Sequence, residues 1–233
     1  MTSFAIYGMR RSGNHAILEW MIKNLSGKDE RHVIKHSFIT NGNSCYLNAI
    51  NEYGQSSSLF IDYHFAKSTY KNVIISYEDV SDKYITDYSR SLQKVVILRD
   101  IINVAASRYQ KIISGDPQFR CLNMNKSFFQ NWIDHASSAE RGVKIIKFEE
   151  WVSSKSKRDE IAKEFNCINI DNMKTISHHG GGSSFSGTKQ IPSALDLSTR
   201  WKQVNLPKQI LEIINSPRIN KLRAHHGYES IEP

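Results

Sequence analysis

The chain is 233 residues long and carries 31 lysines and arginines against 23 aspartates and glutamates, a formal charge of +8. With 39% hydrophobic and 10% aromatic residues, it holds enough apolar material for a packed core, which excludes a disordered or collagen-like chain. No apolar run approaches the ~18 residues of a membrane-spanning helix, and residues 1–7 show neither the charged leader nor the small-residue cleavage site of a signal peptide.

Taken in chain order, short apolar runs alternate with helical patterns. Residues 4–7 read as a strand, and 14–25 as a helix whose Ile17, Leu18, Met21, Ile22 and Leu25 share one face. Residues 32–35, 59–63 and 73–77 are further strand candidates. The polar stretch 40–58, rich in Asn, Ser and Gly, reads as a surface excursion. Residues 94–98 (KVVIL) form a buried-strand run, followed by a helix over 101–113. Residues 128–139 look helical, 143–148 (VKIIKF) strand-like, and 155–165 helical. The glycine- and serine-rich stretch 178–190 is too long for a simple connector, and loops of that length are often functional. A final helix, 207–214, begins with Pro207 at a first-turn position. Such alternation predicts one α/β domain over residues 1–233, a three-layer α/β/α arrangement around a mainly parallel sheet.

The three cysteines, Cys45, Cys121 and Cys167, are widely spaced and form no CxxC pair. They make neither a disulfide framework nor a zinc site, and they suit a reducing, cytoplasmic compartment. The positive charge favours an anionic partner; nucleic acid, a phosphorylated cofactor and an acidic glycan all qualify.

The most informative stretch is Tyr7-Gly8-Met9-Arg10-Arg11-Ser12-Gly13-Asn14-His15, between the first strand and the first helix. Glycines at 8 and 13 allow a tight turn that points successive N–H groups into one concavity at a helix N-terminus, an anion nest. The spacing matches the Walker A loop, but the Lys and Ser/Thr that follow it there are replaced by Asn14 and His15. Metal-assisted phosphoryl transfer thereby loses two of its parts. The positive charge sits inside the loop instead, on Arg10 and Arg11.

Arg11-Ser12-Gly13 resembles the 5′-phosphosulfate loop of the PAPS-dependent sulfotransferases, with Asn14-His15 in place of the usual threonines. A second segment strengthens the resemblance. Ile97-Leu98-Arg99-Asp100 leads into Ser107-Arg108-Tyr109, and the family binds the 3′-phosphate with an Arg at a strand end and a Ser eight residues later. The Pro usual two positions after that Arg is Ile101 here. Lys147-Phe148-Glu149-Glu150-Trp151 is similar to a structural segment of the family, and Trp201-Lys202 to the region after its cofactor-covering loop. The resemblance implies the P-loop-like sulfotransferase fold, no bound metal, and PAPS as sulfuryl donor. It places Arg10, Arg11, Ser12, Gly13, Asn14 and His15 at the 5′-phosphosulfate and Arg99 and Ser107 at the 3′-phosphate. It puts Lys189 at that phosphate too, with Phe185 stacked on adenine. Arg11 is also expected to stabilise charge on the leaving oxygen.

The acceptor needs a base, which in this family is His or Glu. Counting back from Arg99 by the family's spacing reaches Tyr77, so Glu78 is the first choice and Asp79 the second; the alternative is that both cap a helix starting near Ser81. His36 and His64 remain open as candidates. Tyr46, Tyr53, Tyr63 and Tyr70, with the Asn residues around them, suit a carbohydrate acceptor. Two other classes compete: a P-loop kinase or NTPase, and a basic nucleic-acid-binding module. The basic residues are scattered, with no Lys/Arg run longer than two, which counts against the latter.

Overall fold

A computed structural model describes residues 2–26, 32–35, 38–41, 44–50, 66–67, 69–81, 92–115, 123–170 and 199–231. Its strands are β1 (Thr2–Gly8), β2 (His32–Lys35), β3 (Phe38–Asn41), β4 (Ser44–Ile50), β5 (Asn72–Glu78), β6 (Gln93–Leu98) and β7 (Lys144–Lys147). Its helices are α1 (Asn14–Ser26), α2 (Ile101–Ile113), α3 (Lys126–Ala136), α4 (Phe148–Ser153), α5 (Lys155–Glu164), α6 (Lys208–Ile214) and α7 (Pro217–His225). All seven strands form one sheet in the order β2-β3-β4-β5-β1-β6-β7. Neighbours from β4 to β7 pair in parallel, while β3 runs antiparallel to both β2 and β4.

A parallel sheet needs cover on both faces, and the sequence supplies two apolar sets along each central strand. Ala5, Tyr7, Val73, Ile75, Tyr77, Val96 and Leu98 pack against α2, α3 and the buried Ile214 and Ile219 of the C-terminal helices. Phe4, Ile6, Ile74, Val95 and Ile97 pack against α1, α4 and α5 on the other face. The result is the expected three-layer arrangement. Within α1 the buried Ile17, Leu18, Met21 and Ile22 follow helical spacing, each contributing about 1.5–3 kcal/mol relative to exposure.

Several boundaries differ from the sequence reading. Residues 40–58 are not wholly an excursion: β3 ends there, and β4 lies inside the sheet, beside β5. Cys45, Leu47 and Ala49 recur with the period of a strand, a signal diluted by the polar Ser44 before them and Asn48 among them. Residues 128–139 hold a helix that begins earlier and closes in a 3₁₀ turn, Ser138–Arg141, stopped by Gly142 at φ 72°. Asn125 sets the earlier start, because its side chain accepts from the amides of Ser127 (3.1 Å) and Phe128 (3.2 Å). Phe148 opens α4 rather than closing a strand. After the helix at 208–214 comes a further one, α7, with Pro217 in its first turn. Residues 59–63 and 178–190 lie outside the described residues. Among the described residues no helix is long and apolar enough to cross a membrane.

The C-terminal helix is tied to the start of α2 by charge. Arg223, 2% exposed, donates from Nε and Nη2 to the two carboxylate oxygens of Asp100, at 2.8 and 2.9 Å. Asp100 also caps α2 through the Ile102 amide, at 3.4 Å. Removing one partner strands the other as a buried charge. Arg223→Met should therefore lower stability by about 3–5 kcal/mol in urea unfolding, and adding Asp100→Asn to it should recover part of the loss.

Candidate active site

The carboxyl ends of β1, β5 and β6 fall side by side, with Gly8 opposite Glu78 on one side and Ile97 on the other. The chain leaves β1 for α1 on one face of the sheet and leaves β6 for α2 on the opposite face. A crevice therefore opens between these two connections, where ligands of open α/β sheets bind.

Residues 9–13 carry the chain from β1 into α1. The Ser12 amide donates to the Met9 carbonyl at 3.0 Å, and the Ser12 hydroxyl lies 2.7 Å from the same oxygen. Two residues take left-handed backbone, Arg11 at φ 74° and Gly13 at φ 90°. At Gly13 a Cβ would fall 2.1 Å from the Phe148 ring, so glycine is required twice over. The first-turn N–H groups of α1 have no acceptors within the helix and face the same end of the sheet. Asn14, buried beneath the loop, donates from Nδ2 to Met9 O (3.1 Å) and to Glu78 Oε1 (3.0 Å), and its Oδ1 lies 2.6 Å from the Ser12 hydroxyl. Gly8 makes room for that amide.

Arg11, Arg99 and Ser107, distant in sequence, come together. Arg11 Nε donates to Ser107 Oγ at 3.3 Å, and Arg99 Nη1 donates to the Arg11 carbonyl at 2.9 Å. The Arg11 guanidinium is pulled down to about 10, chiefly by burial and then by neighbouring Arg99, with Glu78 opposing and Arg108 adding to the shift. Arg99 is likewise lowered by burial, with Glu149 and Asp100 opposing. Its Nε is buried without a hydrogen-bond partner among the described residues, 3.9 Å from Glu149 Oε1. The guanidinium lies over the Phe148 ring at 5.2 Å. Glu149 accepts from the Asp100 amide (3.2 Å) and from the Tyr228 hydroxyl (3.3 Å). Its carboxyl is raised by burial, against the pull of Arg99, and Tyr228 is raised well above its usual value by burial and by Glu149.

Glu78, 5% exposed, is flanked by Asn14 and by His15, whose Nε2 lies 3.7 Å from Oε1. Asp79 is engaged elsewhere: its carboxylate accepts from the Arg10 amide at 3.0 Å and pairs with Arg108. Arg10 Nε lies 3.6 Å from the same carboxylate. His36, His64, Phe185 and Lys189 lie outside the described residues. The sequence alone assigns no role to Arg108, Asn131, Glu149 or Tyr228. Arg108 directly follows Ser107, which is a local signal, but its partner Asp79 becomes a neighbour only through the strand order β5-β1-β6.

The packing of Gly8 against Asn14 gives a test of the loop. A Cβ at Gly8 would lie 2.1 Å from Asn14 Oδ1, so Gly8→Ala should cost about 1–3 kcal/mol in urea unfolding. Combined with Asn14→Ala, it should cost clearly less than the sum of the two single changes.

A scan of protein-family profiles and a search of curated protein sequences return no match. Among solved structures, mouse sulfotransferase SULT7A1 complexed with PAP aligns over 96% of this chain and 89% of its own, with TM-score 0.51 and 14% identity. The sulfotransferase domain from the curacin biosynthetic pathway aligns over 99% of both chains, with TM-score 0.54 and 13% identity. The chain has the fold of the sulfotransferases.

Proposed function

We propose that this protein transfers the sulfuryl group of PAPS to a hydroxyl or amine of an acceptor. The observation that carries the reading is the convergence of half-buried Arg11 with buried Arg99 and Ser107, at the mouth of a glycine-turned loop. Two guanidinium groups that oppose each other's charge in one crevice suit a ligand with two separated anionic groups. PAP, with which the mouse neighbour is complexed, is such a molecule. The residues present fit it: Arg99 Nε has no hydrogen-bond partner among the described residues, and a Cβ at Gly13 would meet the Phe148 ring that packs behind the loop.

Bound PAPS supplies the sulfuryl group and is left as PAP. In this reading Arg99 and Ser107 hold the 3′-phosphate, with Lys189 as a further contact, by charge-assisted hydrogen bonds. The N–H groups of residues 13–15, with the His15 ring, hold the 5′-phosphate end, the Ser12 amide being taken up by the Met9 carbonyl, and Arg10 and Arg11 surround it with positive charge. Arg11 also neutralises charge that grows on the leaving oxygen. Glu78 accepts the acceptor's proton, held in place by the Asn14 amide. Asn14 and His15 stand where a metal-using P-loop has Lys and Ser/Thr, which favours transfer without a metal ion. A carbohydrate acceptor is supported by the sequence from β4 to β5. Tyr53 and Tyr63, with Tyr46, Tyr70 and the Asn residues around them, offer the aromatic faces and amides that suit a sugar.

Thermal unfolding in metal-free buffer tests the donor. PAP at a hundred times its Kd should add about 2.7 kcal/mol of stability, and ADP should add less. Stabilisation by ATP with Mg²⁺ alone would replace this reading with a kinase. In turnover with PAPS and a glycan acceptor, Glu78→Gln should lose about 10²–10⁴-fold, the range for a missing general base. A loss of only a few-fold would move the base elsewhere. Arg11→Ala should lose turnover while the fold survives; unchanged turnover would remove Arg11 from the site.

A further inference from the structure

Asp79 sits one residue beyond β5 in left-handed backbone, φ 59°, a conformation that aspartate tolerates better than most side chains. Every polar group it owns is directed at the loop or at the elements behind it. Its amide donates to the Gly8 carbonyl at 3.0 Å, and its own carbonyl accepts from Asn131 Nδ2 at 2.7 Å. The carboxylate accepts from the Arg10 amide at 3.0 Å and pairs with the guanidinium of Arg108. Arg108, 2% exposed, reaches the same peptide from the other side: its Nε donates to the Arg10 carbonyl at 3.3 Å. The rest of that guanidinium is fixed by the Asn123 carbonyl at 3.1 Å and by the Phe128 ring, 4.5 Å away.

The N–H and the C=O of Arg10 are thus gripped by opposite members of one ion pair, whose Arg108 is buried. The next residue is Arg11, whose left-handed backbone aims its side chain at Ser107. The geometry points to Asp79 and Arg108 as a positioning pair that holds the loop in its anion-binding form, with Asp79 serving as a clamp and not as the proton acceptor. The inference rests on the anion-site reading above. It assigns the two adjacent carboxylates of the β5 end to separate tasks. Glu78 faces Asn14 and His15, on the α1 side, whereas Asp79 faces Arg10 and Arg108.

Asp79→Gly is an informative variant, because glycine accepts φ 59° without strain while the carboxylate is lost, and Arg108→Met controls for the added backbone freedom of glycine. Amide hydrogen exchange of residues 8–15 in the unliganded protein should rise in Asp79→Gly, with residues 2–7 and α5 unchanged. Arg108→Met should give the same pattern, and the double variant should exchange little faster than either single one. In calorimetric titration, both single variants should bind PAP about ten- to a hundredfold more weakly, the span of a lost charge-assisted hydrogen bond. Asp79→Asn, which keeps an acceptor for the Arg10 amide, should lose less, and its pH–rate profile should keep the acid limb. Unchanged exchange in residues 8–15 would overturn the clamp. So would loss of the acid limb in Asp79→Asn with PAP affinity intact, which would make Asp79 the base. If the wild type fails to bind PAP, the sulfotransferase reading falls, and the exchange measurement still decides the clamp.

Discussion

The burial of Arg99 is the constraint around which this end of the molecule is arranged. An isolated guanidinium in the protein interior is strongly disfavoured, and its partners here come from four separate parts of the chain. The Arg11 carbonyl accepts a hydrogen bond from its Nη1, the Phe148 ring lies against its face, and the Glu149 carboxylate stands 3.9 Å from Nε. Trp132, from α3, donates its indole N–H to the Arg99 carbonyl at 2.8 Å and so fixes the backbone. Tyr228, at the far end of the chain, holds Glu149 from behind. A cation compensated this indirectly retains the capacity to bind an anion, since Glu149 approaches it without closing a hydrogen bond.

The loop after β1 is shaped by the same logic. Its left-handed Arg11 costs backbone energy that the surrounding contacts must offset, whereas Gly13 takes the same region freely. Asn14 binds the loop from below and Glu78 with it, so the proposed base and the proposed phosphate cradle share one side chain. Asp79 and Arg108 bind it from the side. The positive charges of the crevice, on Arg10, Arg11, Arg99 and Arg108, are interleaved with Glu78, Asp79, Glu149 and Asp100. Four arginines can be packed together only because carboxylates stand between them.

Much of this is legible without the fold. The helix over 101–113 and the strand over 94–98 follow from periodicity, and Arg11, Arg99 and Ser107 stand out because two local motifs carry them. Their convergence follows from parallel pairing of β1 with β6. What sequence alone obscures has physical causes. β4 is hidden because its polar residues interrupt the apolar alternation. α7 is hidden because its apolar positions are few, so tertiary contacts through Ile219 and Arg223 decide it. The pairs Asp79–Arg108 and Asp100–Arg223 join residues 29 and 123 positions apart; only strand order and helix packing make them neighbours. Glu149 reads as structural because nothing local shows that it faces Arg99.

The central claim is that Arg99 and Ser107 form a site for a second phosphate, separate from the loop. Isothermal titration of PAP against adenosine 5′-phosphate, in metal-free buffer at one ionic strength, tests it most directly. The 3′-phosphate should tighten binding by about a hundredfold or more, as expected for two charge-assisted hydrogen bonds, and Arg99→Met should abolish the difference. Equal affinities for the two nucleotides in the wild-type protein would contradict the claim.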